Sequence, residues 1–222
     1  MATMVTTKPV VKSGTGGKTP GPNGNGSKRR NGHEFLQPDP HANRYRIGMW
    51  VALASIGMLF TALSSAYVVR AGAGSDWVDI RMPRVLLLST ALILVSSVTI
   101  EVSKRNLRAS SLDGHSRWLL LTMLLGLAFL GSQLLAWKQL ARQGVYLASN
   151  PHSSFFYLLT ATHAFHLGGG LLGLIFVWTR SRFSKAVTVS PRRQAATDAV
   201  AIYWHFMDAL WIYLFLLLFL WR

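Results

Sequence analysis

The sequence predicts an all-α fold, a polytopic transmembrane bundle of five helices preceded by a disordered, basic N-terminal tail. Three observations carry this expectation. Half of the 222 residues are hydrophobic and only 14% are charged. The apolar residues fall into five runs, each about the 20 residues that a hydrocarbon core of ~30 Å requires. Short polar linkers with breakers such as Asp113-Gly114 and Ser190-Pro191 separate the runs, which favours one helical bundle over separate domains. No internal repeat is evident, which weakens an inverted-repeat transporter reading.

The tail covers residues 1–46 and the five-helix domain residues 47–222. Met1 to Val11 mixes Thr and Lys with short aliphatics, so no cleaved signal peptide is expected and the first span should insert itself. Between Lys12 and Arg46 the chain is rich in Gly, Pro, Asn and Lys. Such a stretch cannot bury enough apolar surface to fold alone. The cations Lys28, Arg29 and Arg30 offer a second reading of the tail, docking on anionic lipid or on a partner.

The spans are expected at residues 47–69, 85–103, 118–140, 155–178 and 199–221. Of the 23 Lys and Arg residues, only Arg70, Arg81, Arg84, Lys138, Arg142 and Arg222 fall on the side opposite the tail. The positive-inside rule therefore predicts a cytoplasmic N-terminus and an outer, periplasmic C-terminus. This placement also accounts for the net charge of +15. Nucleic-acid binding is not expected, because the cations are divided among loops beside spans instead of forming one patch.

The absence of cysteine excludes a disulfide framework and any thiolate metal site, copper–thiolate and iron–sulfur centres included. The polar groups inside the spans carry what chemistry there is. An ionisable side chain in hydrocarbon must face protein, water or a partner, which makes Asp208 and His205 on the fifth span functional candidates. At 1.5 Å per residue Asp208 lies roughly 14 Å and His205 roughly 9 Å from the cytoplasmic end of that span. On the fourth span His166 and His163 lie roughly 18 and 22 Å from the same end, one turn apart on one face. Asp208 and His166 could therefore meet. Trp204, Asp208 and Trp211 share a stripe at i, i+4 and i+7, so two indole N–H groups are placed to donate to the carboxylate. A polar pin between helices is the leading expectation for this group, ahead of lipid-headgroup or water-chain contact and of proton transfer.

Histidines on two spans also suggest a bis-histidine haem. The signal is weak, since His163 and His166 on one helix cannot supply opposite axial ligands, and His205 sits shallower than His163. The other features read as packing. Gly169-x-x-x-Gly173, and Gly48, Ala52, Ser55 and Gly57 on the first span, would let a helix approach closely. Ser89, Ser96 and Ser103 recur every seven residues, consistent with a hydrogen-bonding seam. Glu101 is expected to pair with Lys104 or Arg105 as an interfacial ion pair of small worth, with lipid-ammonium binding as a second role. Gln133, inside the third span, is expected to bond a neighbouring helix.

Tyr203-Trp204-His205-Phe206-Met207-Asp208-Ala209-Leu210-Trp211 resembles the Tyr-Trp-His-Phe-x-Asp-x-x-Trp signature of subunit III of haem-copper terminal oxidases. Thr162-His163-Ala164-Phe165-His166, preceding Gly169, resembles the Thr-His-x-x-His segment of that family. Gly48-Met49-Trp50, Ser64-Ser65-Ala66-Tyr67, Ser96-Ser97-Val98-Thr99, and Gln133 with Ser154-Phe155-Phe156 extend the similarity across all five spans. It is to the short bacterial, five-span form of cytochrome c oxidase subunit 3. Two departures stand out. Leu53-Ala54-Ser55-Ile56 replaces the family's Leu-Ala-Ser-Glu, so the membrane carboxylate is missing, and Leu88-Ser89-Thr90 replaces Leu-Asn-Thr.

The resemblance implies a non-redox accessory subunit of a proton-pumping oxidase of aerobic respiration, in the bacterial inner membrane. No cofactor, metal or catalytic residue would belong to this chain; haem and copper would lie in its partners. Those partners would be the catalytic subunit I, subunit II and membrane phospholipid. The subunit would stabilise the catalytic subunit, bind lipid, sustain proton uptake and guide oxygen through lipid. His163, His166, Trp204, His205, Asp208 and Trp211, with Glu101 and Gln133, would then be structural or lipid-contacting groups. The alternatives are subunit III of a quinol oxidase or of a nitric-oxide-reductase-associated relative, a small bis-histidine haem protein, and a transporter.

Overall fold

A computed structural model describes residues 40–73, 85–146, 150–183 and 191–220. They form five α-helices: α1 (Pro40–Ala73), α2 (Val85–Arg108), α3 (Leu112–Arg142), α4 (Pro151–Arg182) and α5 (Pro191–Leu220). All five are long and apolar enough to cross a membrane, and no strand occurs among the described residues. Each helix is longer than the apolar run at its heart, because hydropathy senses only the hydrocarbon slab while the hydrogen-bond ladder continues into the polar zone. Thus α3 begins at Leu112, with Asp113 in its first turn, where a carboxylate meets the positive end of the helix dipole. The tail before Pro40 lies outside the described residues.

The helix ends follow local chemistry. Asn150 caps α4, accepting from Ser153 N at 2.8 Å while Ser153 Oγ accepts from Asn150 N at 3.2 Å. Pro151, at the first helical position, lacks only an N–H that would have no helical partner there. After α3, Gly144 adopts φ of 79° and Val145 N donates back to Leu140 O at 3.0 Å, closing the last turn as a glycine with positive φ allows. The expected break at Asp113-Gly114 lies instead inside the start of α3. The turn from α2 is made by residues 109–111, with Ser110 at φ 61° and Ser111 N donating back to Asn106 O at 2.9 Å.

Around the bundle the helices run α1, α4, α3, α2, α5 and back to α1, and α4 also packs on α5. Although consecutive in the chain, α1 and α2 make no close backbone approach among the described residues. The core holds Trp204, Trp211, Phe60, Phe129, Phe156 and Tyr67. The outer surface carries Met58, Phe165, Leu172 and Leu220, an apolar exterior suited to lipid.

Small residues set how close the helices come. A Cβ on Gly126 would lie 2.7 Å from Trp204 Cη2, so the bare backbone of α3 is what seats the indole of α5. At the expected Gly169-x-x-x-Gly173 contact, Tyr203 and Val200 of α5 lie against Gly170 and Gly173. On α1 Gly57 meets Phe206, at 3.9 Å from its virtual Cβ, while Gly48 has nothing within 4 Å and Ser55 is exposed.

Candidate functional site

The α2 helix supplies a ladder of hydroxyls. Ser89 Oγ lies 2.6 Å from Ser132 Oγ, and Thr99 Oγ1 lies 2.8 Å from Thr122 Oγ1, both across to α3. Ser103 Oγ donates to His115 O at 3.0 Å, and His115 Nδ1 is 3.0 Å from Ser103 O. His115 Nδ1 also lies 2.8 Å from Ser103 Oγ, so the hydroxyl and the carbonyl of Ser103 both face that nitrogen. The seven-residue serine pattern is therefore a seam, with Ser89 and Ser103 turned to α3 and Ser96 to α5.

From α5, Trp204 Nε1 donates to Ser96 Oγ at 3.0 Å and Trp211 Nε1 to Thr90 Oγ1 at 3.1 Å. His205 Nδ1 and Ser97 Oγ share a hydrogen bond of 2.7 Å. From Trp204 to Trp211 on α5 the partners step back from Ser96 to Thr90 on α2, as antiparallel neighbours must. These bonds correct the expected role of the tryptophans: both indoles donate to α2 hydroxyls and not to Asp208. The three side chains do share a stripe on α5, but the indole rings extend past Asp208 to the adjacent helix.

Asp208 is only 4% exposed. Ser97 is the polar side chain beside its carboxyl, yet neither Asp208 oxygen has a hydrogen-bond partner among the described residues. No bond or ion pair joins it to His166, which is otherwise engaged. His166 Nδ1 donates to Thr162 O at 2.8 Å, and its own carbonyl accepts from Tyr203 OH at 2.8 Å. The expected meeting of Asp208 and His166 is thus replaced by a local bond within α4.

His163 is fully buried. Its ring is boxed by Trp211 at 5.2 Å, Phe129 at 5.9 Å and Phe60 at 6.4 Å between centroids, and neither ring nitrogen has a partner among the described residues. Gln133 is 2% exposed, and its amide likewise has none. The expected interhelical bond from Gln133 is not formed among these residues. Its neighbours at one helical turn, Phe129 and Trp137, present rings; the Trp137 indole donates to Thr160 at 3.2 Å.

Toward the junction of the α2 C-terminus and the α5 N-terminus, Glu101 accepts from Lys104 at 2.9 Å, as expected. Lys104 and Arg108 also reach Asp198, at 3.9 and 3.5 Å. His205 Nε2 lies 3.9 Å from Glu101. These are partly exposed contacts, each worth little in a high-dielectric setting. Sequence reasoning missed Ser97, Thr90, His115 and Asp198 as members of the network. The signal that could have found His115 is its distance from Ser103: a short turn brings the ends of two antiparallel helices together. Among the described residues no group of three or more His, Cys, Asp or Glu is arranged to hold a metal ion.

The arrangement is a set of interhelical pins around a buried aromatic core, with Asp208, His163 and Gln133 among the polar side chains held in its interior. Comparison with known proteins bears on what such a bundle does. The cytochrome c oxidase subunit III family matches residues 41–222. A probable cytochrome c oxidase subunit 3 of Mycobacterium bovis is 32% identical over 178 residues, 78% of this chain and 86% of that protein. A cytochrome c oxidase subunit 3 of Thermostichus vulcanus is 28% identical over 180 residues, again 78% and 86%. A quinol oxidase subunit 3 of Bacillus spizizenii is 27% identical over 172 residues, 76% of this chain and 83% of that protein.

Proposed function

This chain belongs to the cytochrome c oxidase subunit III family, and from that premise we propose that it is the non-redox subunit packed against the catalytic subunit of its complex. It is a multi-pass membrane protein and an accessory subunit of a haem-copper oxidase. The quinol-oxidase alternative is not favoured: 27% identity to that type of subunit stands against 32% to a cytochrome c oxidase subunit. Subunits I and II are its proposed partners, with phospholipid filling the outer apolar grooves. The N-terminus is proposed to lie on the cytoplasmic side, following the cation distribution.

One observation carries the non-redox reading: the fourth-span histidines are spent on packing. A haem ligated by His163 would have to displace Phe60, Phe129 and Trp211, whose rings stand on three sides of the imidazole. His166 already uses Nδ1 on its own helix, and His205 is bonded to Ser97. Asp208, His163 and Gln133 would serve as polar elements of a rigid scaffold, and Glu101 with His205 as a contact for lipid headgroups at the membrane edge. By holding the catalytic subunit and its lipid in place, the scaffold would sustain proton uptake during turnover.

The test is copurification of the tagged chain in mild detergent with a reduced-minus-oxidised spectrum. The expected result is a haem- and copper-containing complex whose spectrum disappears when this chain is isolated from it. A stoichiometric b-type band in the isolated chain would overturn the assignment and favour a haem-binding protein.

A further inference from the structure

Where α4 packs on α3, two polar side chains lie in the core with no hydrogen-bond partner among the described residues. Gln133 of α3 is 2% exposed and His163 of α4 is fully buried. Buried polar atoms that have given up water without a replacement are costly, and nearly all of them in folded proteins find a partner. The box around His163 cannot supply one. Phe60 and Phe129 carry no hydrogen-bonding group, and the single N–H of Trp211 is spent on Thr90.

Register brings the two groups to one level. On α3, Phe129 lies one turn before Gln133 and Trp137 one turn after it, so the three share a face. Phe129 meets the His163 ring, with 5.9 Å between centroids, and Trp137 Nε1 donates to Thr160 Oγ1 at 3.2 Å. Gln133 therefore faces α4 between residues 160 and 163, about 2 Å along the axis from the level of His163. Packed helix axes stand ~8–10 Å apart, a span that these two side chains nearly close from opposite sides. Yet neither amide atom of Gln133 bonds a ring nitrogen of His163. Whatever joins them must be small and must both donate and accept, since the amide and a neutral imidazole each offer one donor side and one acceptor side. Water meets these requirements, and a buried water is held by roughly two to four polar partners.

We propose that an internal water molecule bridges the Gln133 amide and the His163 imidazole and pins α3 to α4. The site is separate from the α2–α5 network, whose indoles and hydroxyls already pair with one another. It also accounts for a histidine enclosed by three rings: the rings shut the site from lipid while Gln133 supplies its polar wall. The proposal stands on the α3–α4 packing and does not depend on the accessory-subunit reading.

The test uses the whole purified complex, imaged by electron cryomicroscopy at a resolution that shows ordered water. The expected map holds one peak at hydrogen-bond distance, about 2.7–3.2 Å, from both a Gln133 amide atom and a His163 ring nitrogen. Gln133→Met keeps the shape of the side chain without its polar atoms and should abolish the peak. A Gln133 amide bonded directly to His163, or no peak between the two side chains, would overturn the proposal, and the wild-type map decides this even if a variant fails to assemble. A second measurement reads the coupling, by SDS unfolding of the full chain in mixed micelles. Gln133→Met and His163→Phe should each lower the folded-to-unfolded ratio about ten-fold, because each strands the other polar group. The double variant strands neither and should lose about as much as one single variant. A loss of about a hundred-fold, the product expected of independent sites, would show that no water joins them.

Discussion

Replacing Gly126 by Ala should destabilise the bundle although it adds a single methyl group to a helix. The new Cβ would lie 2.7 Å from Trp204 Cη2, 3.1 Å from Trp204 Cζ2 and 3.1 Å from Leu171 Cδ2. The indole cannot retreat freely, since it is fully buried and its Nε1 is held by Ser96 at 3.0 Å. Overpacking of this kind costs ~1–3 kcal/mol. Breaking the indole bond would add ~0.6 kcal/mol, the average for such pairs in membranes, and the helix-propensity gain of Ala over Gly returns up to ~1 kcal/mol. The net expectation is a loss of about 2 kcal/mol, roughly a thirty-fold change in the folded-to-unfolded ratio. Equilibrium SDS unfolding in mixed micelles, followed by circular dichroism, measures it. Gly131→Ala is the control, because nothing lies within 4 Å of its virtual Cβ, and it should be neutral or stabilising. In a Trp204→Phe background the distal ring atoms are gone, so Gly126→Ala should become nearly free and the two changes should couple by about 2 kcal/mol. Additive losses, or an unchanged midpoint in Gly126→Ala, would refute this account of how α3 seats α5.

Other expectations follow from the same network. Ser96→Ala and Thr90→Ala should each cost ~0.6 kcal/mol and no more than ~1.7 kcal/mol in the same unfolding assay; a larger loss would mean that the indoles hold more than one hydroxyl each. Asp208→Asn removes a carboxyl with no hydrogen bond among the described residues, so copurification with the catalytic subunit should persist while activity decays sooner during turnover. Unchanged activity over many turnovers would remove Asp208 from the functional account. Deleting residues 1–39 should leave assembly intact, given their Gly- and Pro-rich composition. Failure of the truncated chain to copurify would show that the tail docks.

Much of this protein is legible along one dimension. A bilayer filters sequences by length and polarity, so five apolar runs of about 20 residues specify five spans without any knowledge of their neighbours. The motif around Trp204 and His205, and the paired histidines of α4, suffice to suggest the family. The serine repeat of α2 is legible for the same reason: seven residues is close to two helical turns, so Ser89, Ser96 and Ser103 must share a face.

The partners of those groups are not legible. Which side of a helix faces protein is poorly marked when lipid is as apolar as the core: on α4 Phe156 is 1% exposed and Phe165 is 80% exposed, and nothing in the residue type distinguishes them. The stripe of Trp204, Asp208 and Trp211 fixed three side chains on one face of α5. Only the rotation of α5 against α2 decided that the indoles reach Ser96 and Thr90, and that Asp208 receives neither. The same holds for His166, whose depth suited Asp208 but whose ring bonds within its own helix. The sequence by itself determined the number of spans and the groups placed in lipid, because both depend on transfer from water to hydrocarbon, residue by residue. The tertiary structure decided which polar groups pair, because hydrogen bonds depend on distances and directions between helices that no single helix contains.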